Sequence, residues 1–258
     1  MTLLVGVLCS EGVVIGADSA YTMAATLGPQ TVSQSAPKIE IVDGRALIAT
    51  SGPVGLGQRL AGAFEDALRE NTIPPAMKSH KVMGALRERF RQPIESELQA
   101  AAIAKQAFGN AGLTSALSAT LLAMSVDGGP RLFQFDQQGA PEEVTDKVPF
   151  VCLGSGQVIA DPFMAFLRGI FWRDGTLPTL NEGEFAVLWT LTQAIAVSPG
   201  GLGLPIRVYT LCQNGARCEA RQLDESELQE LGQAVDAARD SLRQFRAPTR
   251  GVQAPPEA

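Results

Sequence analysis

The sequence predicts an α+β fold, with two sheets packed face to face and helices outside each sheet. Three observations predict it. Strand signals come in blocks rather than alternating with helices: strands, two helices, strands, two helices, a strand and a helix. Each helical segment carries apolar residues along one stripe, so each has a face to bury, and outer helix layers use every stripe. The chain has 258 residues, 45% hydrophobic and 19% charged, which suits a sizeable core. No internal repeat is present. We read one domain over residues 1–246, with an aperiodic tail at 247–258 containing Pro255 and Pro256, expected to be disordered.

The first two strands are Thr2–Cys9 and Gly12–Ala17, split by the turn residues Ser10-Glu11-Gly12. Residues Met23 to Pro37 are small and polar, a loop or a weak strand pair. Ile39–Val42 and Arg45–Thr50 flank Asp43-Gly44, the strongest short hairpin signal. After Ser51-Gly52-Pro53-Val54-Gly55, Leu56, Leu60, Phe64 and Leu68 mark a first helix that Pro74-Pro75 ends. Leu86, Phe90, Ile94 and Leu98 mark a second. Pro93 lies within it and either kinks it or opens a new segment. Ala119–Val126 and Arg131–Phe135 form the central hairpin, and Phe150–Leu153 is the next strand, ending at Gly154-Ser155-Gly156. One helix carries Phe163, Phe166, Leu167 and Ile170; another carries Phe185, Leu188, Leu191 and Ile195, ending at Ser198-Pro199-Gly200-Gly201. Ile206–Cys212 is a late strand. Asp224 with Glu227 forms a capping-box pattern opening a helix to about Phe245.

Composition removes several function classes. With 21 basic and 27 acidic residues the formal charge is −6, and no Lys/Arg cluster occurs, so nucleic acid is not an expected partner. No apolar run approaches the roughly 18 residues of a membrane span, and the apolar start lacks the basic leader of a signal peptide. The four cysteines are scattered, which fits reduced thiols in a cytoplasmic protein. The single histidine, His80, lies among Lys78, Ser79 and Lys81 and reads as a solvated helix residue. No Gly-x-Ser-x-Gly elbow accompanies it, and a multi-histidine metal site is impossible. There is no phosphate-binding P-loop. Gly200-Gly201-x-Gly203 lacks the strand-to-helix setting of a dinucleotide fingerprint. No cofactor and no metal are expected.

One constellation needs no histidine. Thr2 follows Met1, and a small second residue favours methionine removal. A terminal threonine carries its own nucleophile and, in an α-amine of pKa about 7.7–8.0, its own base. Around it, Gly6-Val7, then Val14-Ile15-Gly16-Ala17-Asp18, then Lys38-Ile39-Glu40-Ile41-Val42-Asp43-Gly44 follow in order. Ala49-Thr50-Ser51-Gly52-Pro53-Val54-Gly55, the hairpin Gly129–Asp136 with Gly139, and Gly154-Ser155-Gly156 come after them. Together these motifs resemble the proteasome β-type subunit family over roughly residues 2–212. Within it the chain looks closest to bacterial homologues, such as the β-proteobacterial proteasome homologue.

The resemblance implies the four-layer αββα sandwich of N-terminal-nucleophile hydrolases and the activity of a threonine-type endopeptidase. It implies Thr2 as nucleophile, Lys38 as the cation beside the Thr2 hydroxyl, and Asp18 as the partner fixing Lys38. The bland alternative for the last two is a surface ion pair. Gly52 would offer its N–H to an oxyanion, and Ser155 would hold the α-amine or a water, or else simply cap a helix. Ser198 is the serine of the family's late Ser-Gly motif, but the acid expected three residues earlier is Ile195 here. The Asp18-to-Lys38 segment is longer than usual, and Ser19, Ala20, Tyr21 and Met23 predict a preference for uncharged residues beside the cut bond. The implied partners are copies of the chain itself in stacked six- or seven-membered rings, unfolded polypeptide as substrate, and an ATP-driven unfoldase. Two other readings stay open: a small-molecule amidase of the same nucleophile class, and a non-catalytic ring scaffold.

Overall fold

The computed structural model describes residues 2–23, 32–108, 117–172, 175–198, 201–215 and 217–244. The expected fold class is observed. One five-stranded antiparallel sheet has the order β10 (Phe150–Leu153), β1 (Leu4–Leu8), β2 (Gly12–Ala17), β11 (Arg207–Asn214), β12 (Arg217–Gln222). The other has the order β5 (Ile39–Val42), β6 (Ala46–Ser51), β7 (Ala119–Val126), β8 (Gly129–Phe135), β9 (Pro141–Glu143). A separate two-stranded ribbon pairs β3 (Ala20–Met23) with β4 (Val32–Ser35); β4 lies in the polar segment read as a loop or a weak strand pair, whereas β3 precedes that segment except for Met23.

Three apolar layers hold these parts together. Leu4, Ile15, Leu47, Leu121, Leu132 and Leu211 fill the space between the sheets. α1 (Val54–Arg69) and α2 (Ser79–Phe108) cover the second sheet through Leu56, Leu60, Phe64, Leu86 and Phe90. α3 (Gln157–Phe171), α4 (Leu180–Val197) and α5 (Glu225–Gln244) cover the first through Met164, Leu167, Val187, Leu191 and Val235. The order of layers is therefore αββα. Gly16 permits the close seat of α4 on β2, since a Cβ there would come 2.3 Å from Val187 Cγ1.

Local signals behave as their chemistry requires. Asp43 and Gly44 both have positive φ, 53° and 66°, at the two central positions of a turn that the Arg45 N–H closes on the Val42 carbonyl at 3.1 Å. The reciprocal capping box of α5 forms: Glu227 N–H donates to Asp224 Oδ1, and Asp224 N–H donates to Glu227 Oε2. α2 runs without a break through Pro93, so this proline opens no new segment. His80 is exposed in the first turn of α2, and all four cysteines are free thiols. Two strands escape a sequence reading. β9 is three residues long, and β12 is an edge strand in which Cys218 and Ala220 alternate with Arg217, Glu219 and Arg221. The tail at 247–258, and the end of the last helix at Phe245, lie outside the described residues.

Candidate active site

Thr2 lies two residues before β1, and strand register decides what surrounds it. β1 pairs with β10 so that Leu4 faces Leu153, which carries Thr2 towards Ser155. Ser155 Oγ lies 3.1 Å from the Thr2 nitrogen, and the Gly156 N–H donates to the Thr2 carbonyl at 3.2 Å. Gly154 permits this approach: its φ is +97°, and a Cβ there would sit 2.3 Å from the Thr2 carbonyl oxygen. The Gly-Ser-Gly motif thus wraps Thr2 on one side.

β2 supplies the other side. Leu4 pairs with Ala17, so the next residue, Asp18, falls opposite Leu3. The Asp18 side chain is fully buried and every lone-pair direction is used. Oδ1 accepts from Leu3 N–H at 2.8 Å and from Lys38 Nζ at 2.7 Å. Oδ2 accepts from Ala20 N–H at 3.1 Å and from Gly203 N–H at 3.3 Å. A buried carboxylate is tolerated only with such compensation.

Lys38 comes from the opposite sheet, just before β5, and its side chain is only 7% exposed. Burial lowers its pKa below the usual lysine range, because the charged form is poorly solvated; the Asp18 carboxylate opposes that shift by charge and hydrogen bonding. The pair is therefore not the surface ion pair of the bland reading. At the end of β6, Gly52 has φ +127°, and a Cβ there would lie 2.4 Å from the Leu117 carbonyl oxygen. Its N–H donates to no described residue.

Comparison with known proteins places this geometry in a family. The profile of the proteasome subunit family matches residues 2–167. The chain belongs to the proteasome subunit family.

Solved structures agree on the fold. The Anbu (Gly-1) mutant from Hyphomicrobium sp. strain MC1 is similar at TM-score 0.68 and 16% identity, covering 100% of each chain. The helical assembly of the Anbu complex from Pseudomonas aeruginosa follows at TM-score 0.66 and 16% identity, over 99% of this chain and 98% of that one. Anbu, the ancestral beta-subunit, from Yersinia bercovieri matches at TM-score 0.64 and 15% identity, over 98% and 100%. No curated protein matches the chain.

Within this proteasome-family frame, Thr2, Asp18, Lys38 and Ser155 come together, and Gly52 closes the same end of the sandwich from the second sheet. Ser198 is placed differently. It caps the end of α4, and its carbonyl accepts from the Gly201 and Leu202 N–H groups at 3.3 and 3.4 Å. Its hydroxyl makes no hydrogen bond to Thr2, Ser155 or Asp18. Leu202 and Gly203, further along the chain, are what reach the site. Leu202, buried, packs where a Cβ on Gly156 would be, and Gly203 grips Asp18 while its carbonyl accepts from Ser19 N–H at 2.9 Å. Sequence reasoning missed Leu202 and Gly203. The sequence marks Gly203 only as part of a glycine-rich stretch; its role appears in the fold, where a Cβ on it would lie 3.1 Å from Ala20 Cβ.

Proposed function

We propose that the chain is a threonine-type endopeptidase that cleaves peptide bonds of unfolded chains, with Thr2 as nucleophile once Met1 is removed. The observation that carries this reading is the buried Asp18–Lys38 pair beside an N-terminal threonine whose nitrogen meets Ser155 Oγ. The Thr2 hydroxyl attacks the scissile carbonyl carbon, and its proton passes to the Thr2 α-amine. The Lys38 ammonium favours the developing alkoxide and keeps the nearby amine unprotonated by charge. The Gly52 N–H donates to the oxyanion. The α-amine then returns the proton to the leaving nitrogen, leaving a threonine ester. Water adds to that ester with the same amine as base, which releases the acid and restores Thr2. Asp18 is a positioning residue, since it touches Lys38 and not the substrate.

Self-association is part of the proposal. The α3 residues Val158, Phe166 and Ile170 are 79%, 50% and 48% exposed, and the face they share with Pro162 bears no charge. Such a face suits subunit contact. An enclosed chamber would keep an unselective nucleophile from folded proteins and require unfolded substrate, for which an ATP-driven unfoldase is the matching partner class. Among the described residues no helix is long and apolar enough to cross a membrane. The free cysteines fit the cytoplasm.

Intact mass before and after incubation with a peptide epoxyketone tests the chemistry, because that warhead requires a hydroxyl and an adjacent free α-amine. The expected result is loss of Met1 and one adduct per chain. Thr2→Ala is expected to lose the adduct and to lower peptide hydrolysis on the order of 10⁴-fold or more, the scale on which loss of a nucleophile acts in acyl transfer. Peptidase activity that survives Thr2→Ala rejects the nucleophile. An adduct without any peptide hydrolysis favours a small-amide substrate.

A further inference from the structure

Beside Thr2 lies a hydroxyl that the mechanism above leaves unused. Ser51 is the last residue of β6, opposite Ala119 and immediately before Gly52. It is half-buried, and it belongs to the sheet facing the one that carries Thr2. A Cβ built on Gly154 would lie 3.0 Å from Ser51 Oγ and 2.3 Å from the Thr2 carbonyl oxygen. The two oxygens therefore flank the same missing methyl, close enough for one water to bridge them. Ser51 Oγ makes no hydrogen bond with any described residue, so its donor and acceptor capacity is available to the site.

The demand for that capacity comes from the α-amine. When it accepts the Thr2 hydroxyl proton it becomes an ammonium with three N–H groups to place. Ser155 Oγ stands 3.1 Å from this nitrogen and takes one of them. Two further positions near it are apolar: Leu202 packs at Gly156, and α4 carries Ile195 rather than an acid three residues before Ser198.

We propose that Ser51 is a further positioning residue, forming with Ser155 a neutral hydroxyl pair, one from each sheet, that orients the Thr2 α-amine, Ser155 by direct contact and Ser51 through one water seated beside the Thr2 carbonyl. This inference rests on Thr2 as nucleophile. A neutral pair holds the amine without the charge of a carboxylate, and so without raising its pKa far above the ordinary range of about 7.7–8.0. The amine then stays competent as a base at neutral pH.

The test follows the rate of epoxyketone adduct formation against pH, by intact mass, in the assembled full-length protein. Ser51→Ala is expected to slow the adduct about three- to tenfold, as loss of one net hydrogen bond does. It is also expected to shift the acid limb of the profile to lower pH, because the ammonium loses an acceptor. Ser51→Asp is expected to move that limb to higher pH by charge, and Ser51→Thr to restore both rate and limb. A Ser51→Ala variant with the wild-type profile overturns the proposal. So does one that is slower with an unmoved limb, which indicates packing alone. If Ser51→Ala does not fold, Ser51→Asp and Ser51→Thr decide it by the same limb. Adduct formation that persists in Thr2→Ala instead rejects the nucleophile reading itself, and the two failures are thus told apart.

Discussion

At the scale of single residues, Asp18 and Lys38 depend on each other in a way that fixes what a substitution must do. Lys38 is nearly enclosed, and burial alone disfavours its charge; Asp18 is its counter-ion and takes three backbone N–H groups as well. Asp18→Asn keeps the size of the side chain and removes the charge. The Asp18 charge then no longer opposes desolvation of Lys38, so its pKa falls further below the usual lysine range. Lysine is active here as the cation. The ammonium is therefore lost at lower pH, and the alkaline limb of the pH–rate profile is expected to move to lower pH. Breaking a buried pair also costs about 3–5 kcal/mol of stability. A pH–rate profile together with denaturant unfolding checks both expectations. An unmoved alkaline limb in a folded Asp18→Asn variant would remove Lys38 from the chemistry.

At the scale of elements, two glycines show how differently the same residue can act after a strand and within a helix. Gly154 ends β10 at positive φ with no room for a Cβ, whereas a Cβ on Gly62 in α1 meets nothing within 4 Å. Gly154→Ala is expected to push the Thr2 carbonyl away, lowering both the thermal midpoint and the adduct yield. Gly62→Ala is expected to stabilise the chain by about 0.5–1 kcal/mol and leave the adduct unchanged. Thermal unfolding and intact mass on the two variants read this contrast. The same elements show what was legible in the sequence. Hairpin turns such as Asp43-Gly44 and the box at Asp224–Glu227 are read correctly because their signals are local. Asp18, Lys38 and Ser155 stand out because they end or begin apolar strands at fixed motif positions. β12 is not legible, because an edge strand can be largely polar and still pair. Ser51 and Gly203 are not legible either, since their roles exist only once Gly154 and Asp18 are brought beside them from distant parts of the chain.

At the scale of the whole molecule, the chain carries a formal charge of −6, so two copies repel each other on net. The outer face of α3 is an exception. Val158, Pro162, Phe166 and Ile170 recur at a spacing of four along one side of the helix, while the charged residues of α3, Asp161 and Arg168, lie off that line. A second copy of this chain can meet this face without opposing charge, and membership of a family of subunits makes another copy the occupant to expect. α3 also begins two residues after Ser155, so contact there would steady the segment that holds Thr2. Sedimentation is expected to show an assembly of the wild-type chain. A Phe166→Glu, Ile170→Glu double variant places two carboxylates of each copy in the contact and is expected to sediment as a much smaller species with unchanged secondary structure. Both positions are about half exposed in the single chain, so the substitutions cost its own core little. An assembly of undiminished size in that variant would assign subunit contact to another face and leave the apolar stripe of α3 without a role.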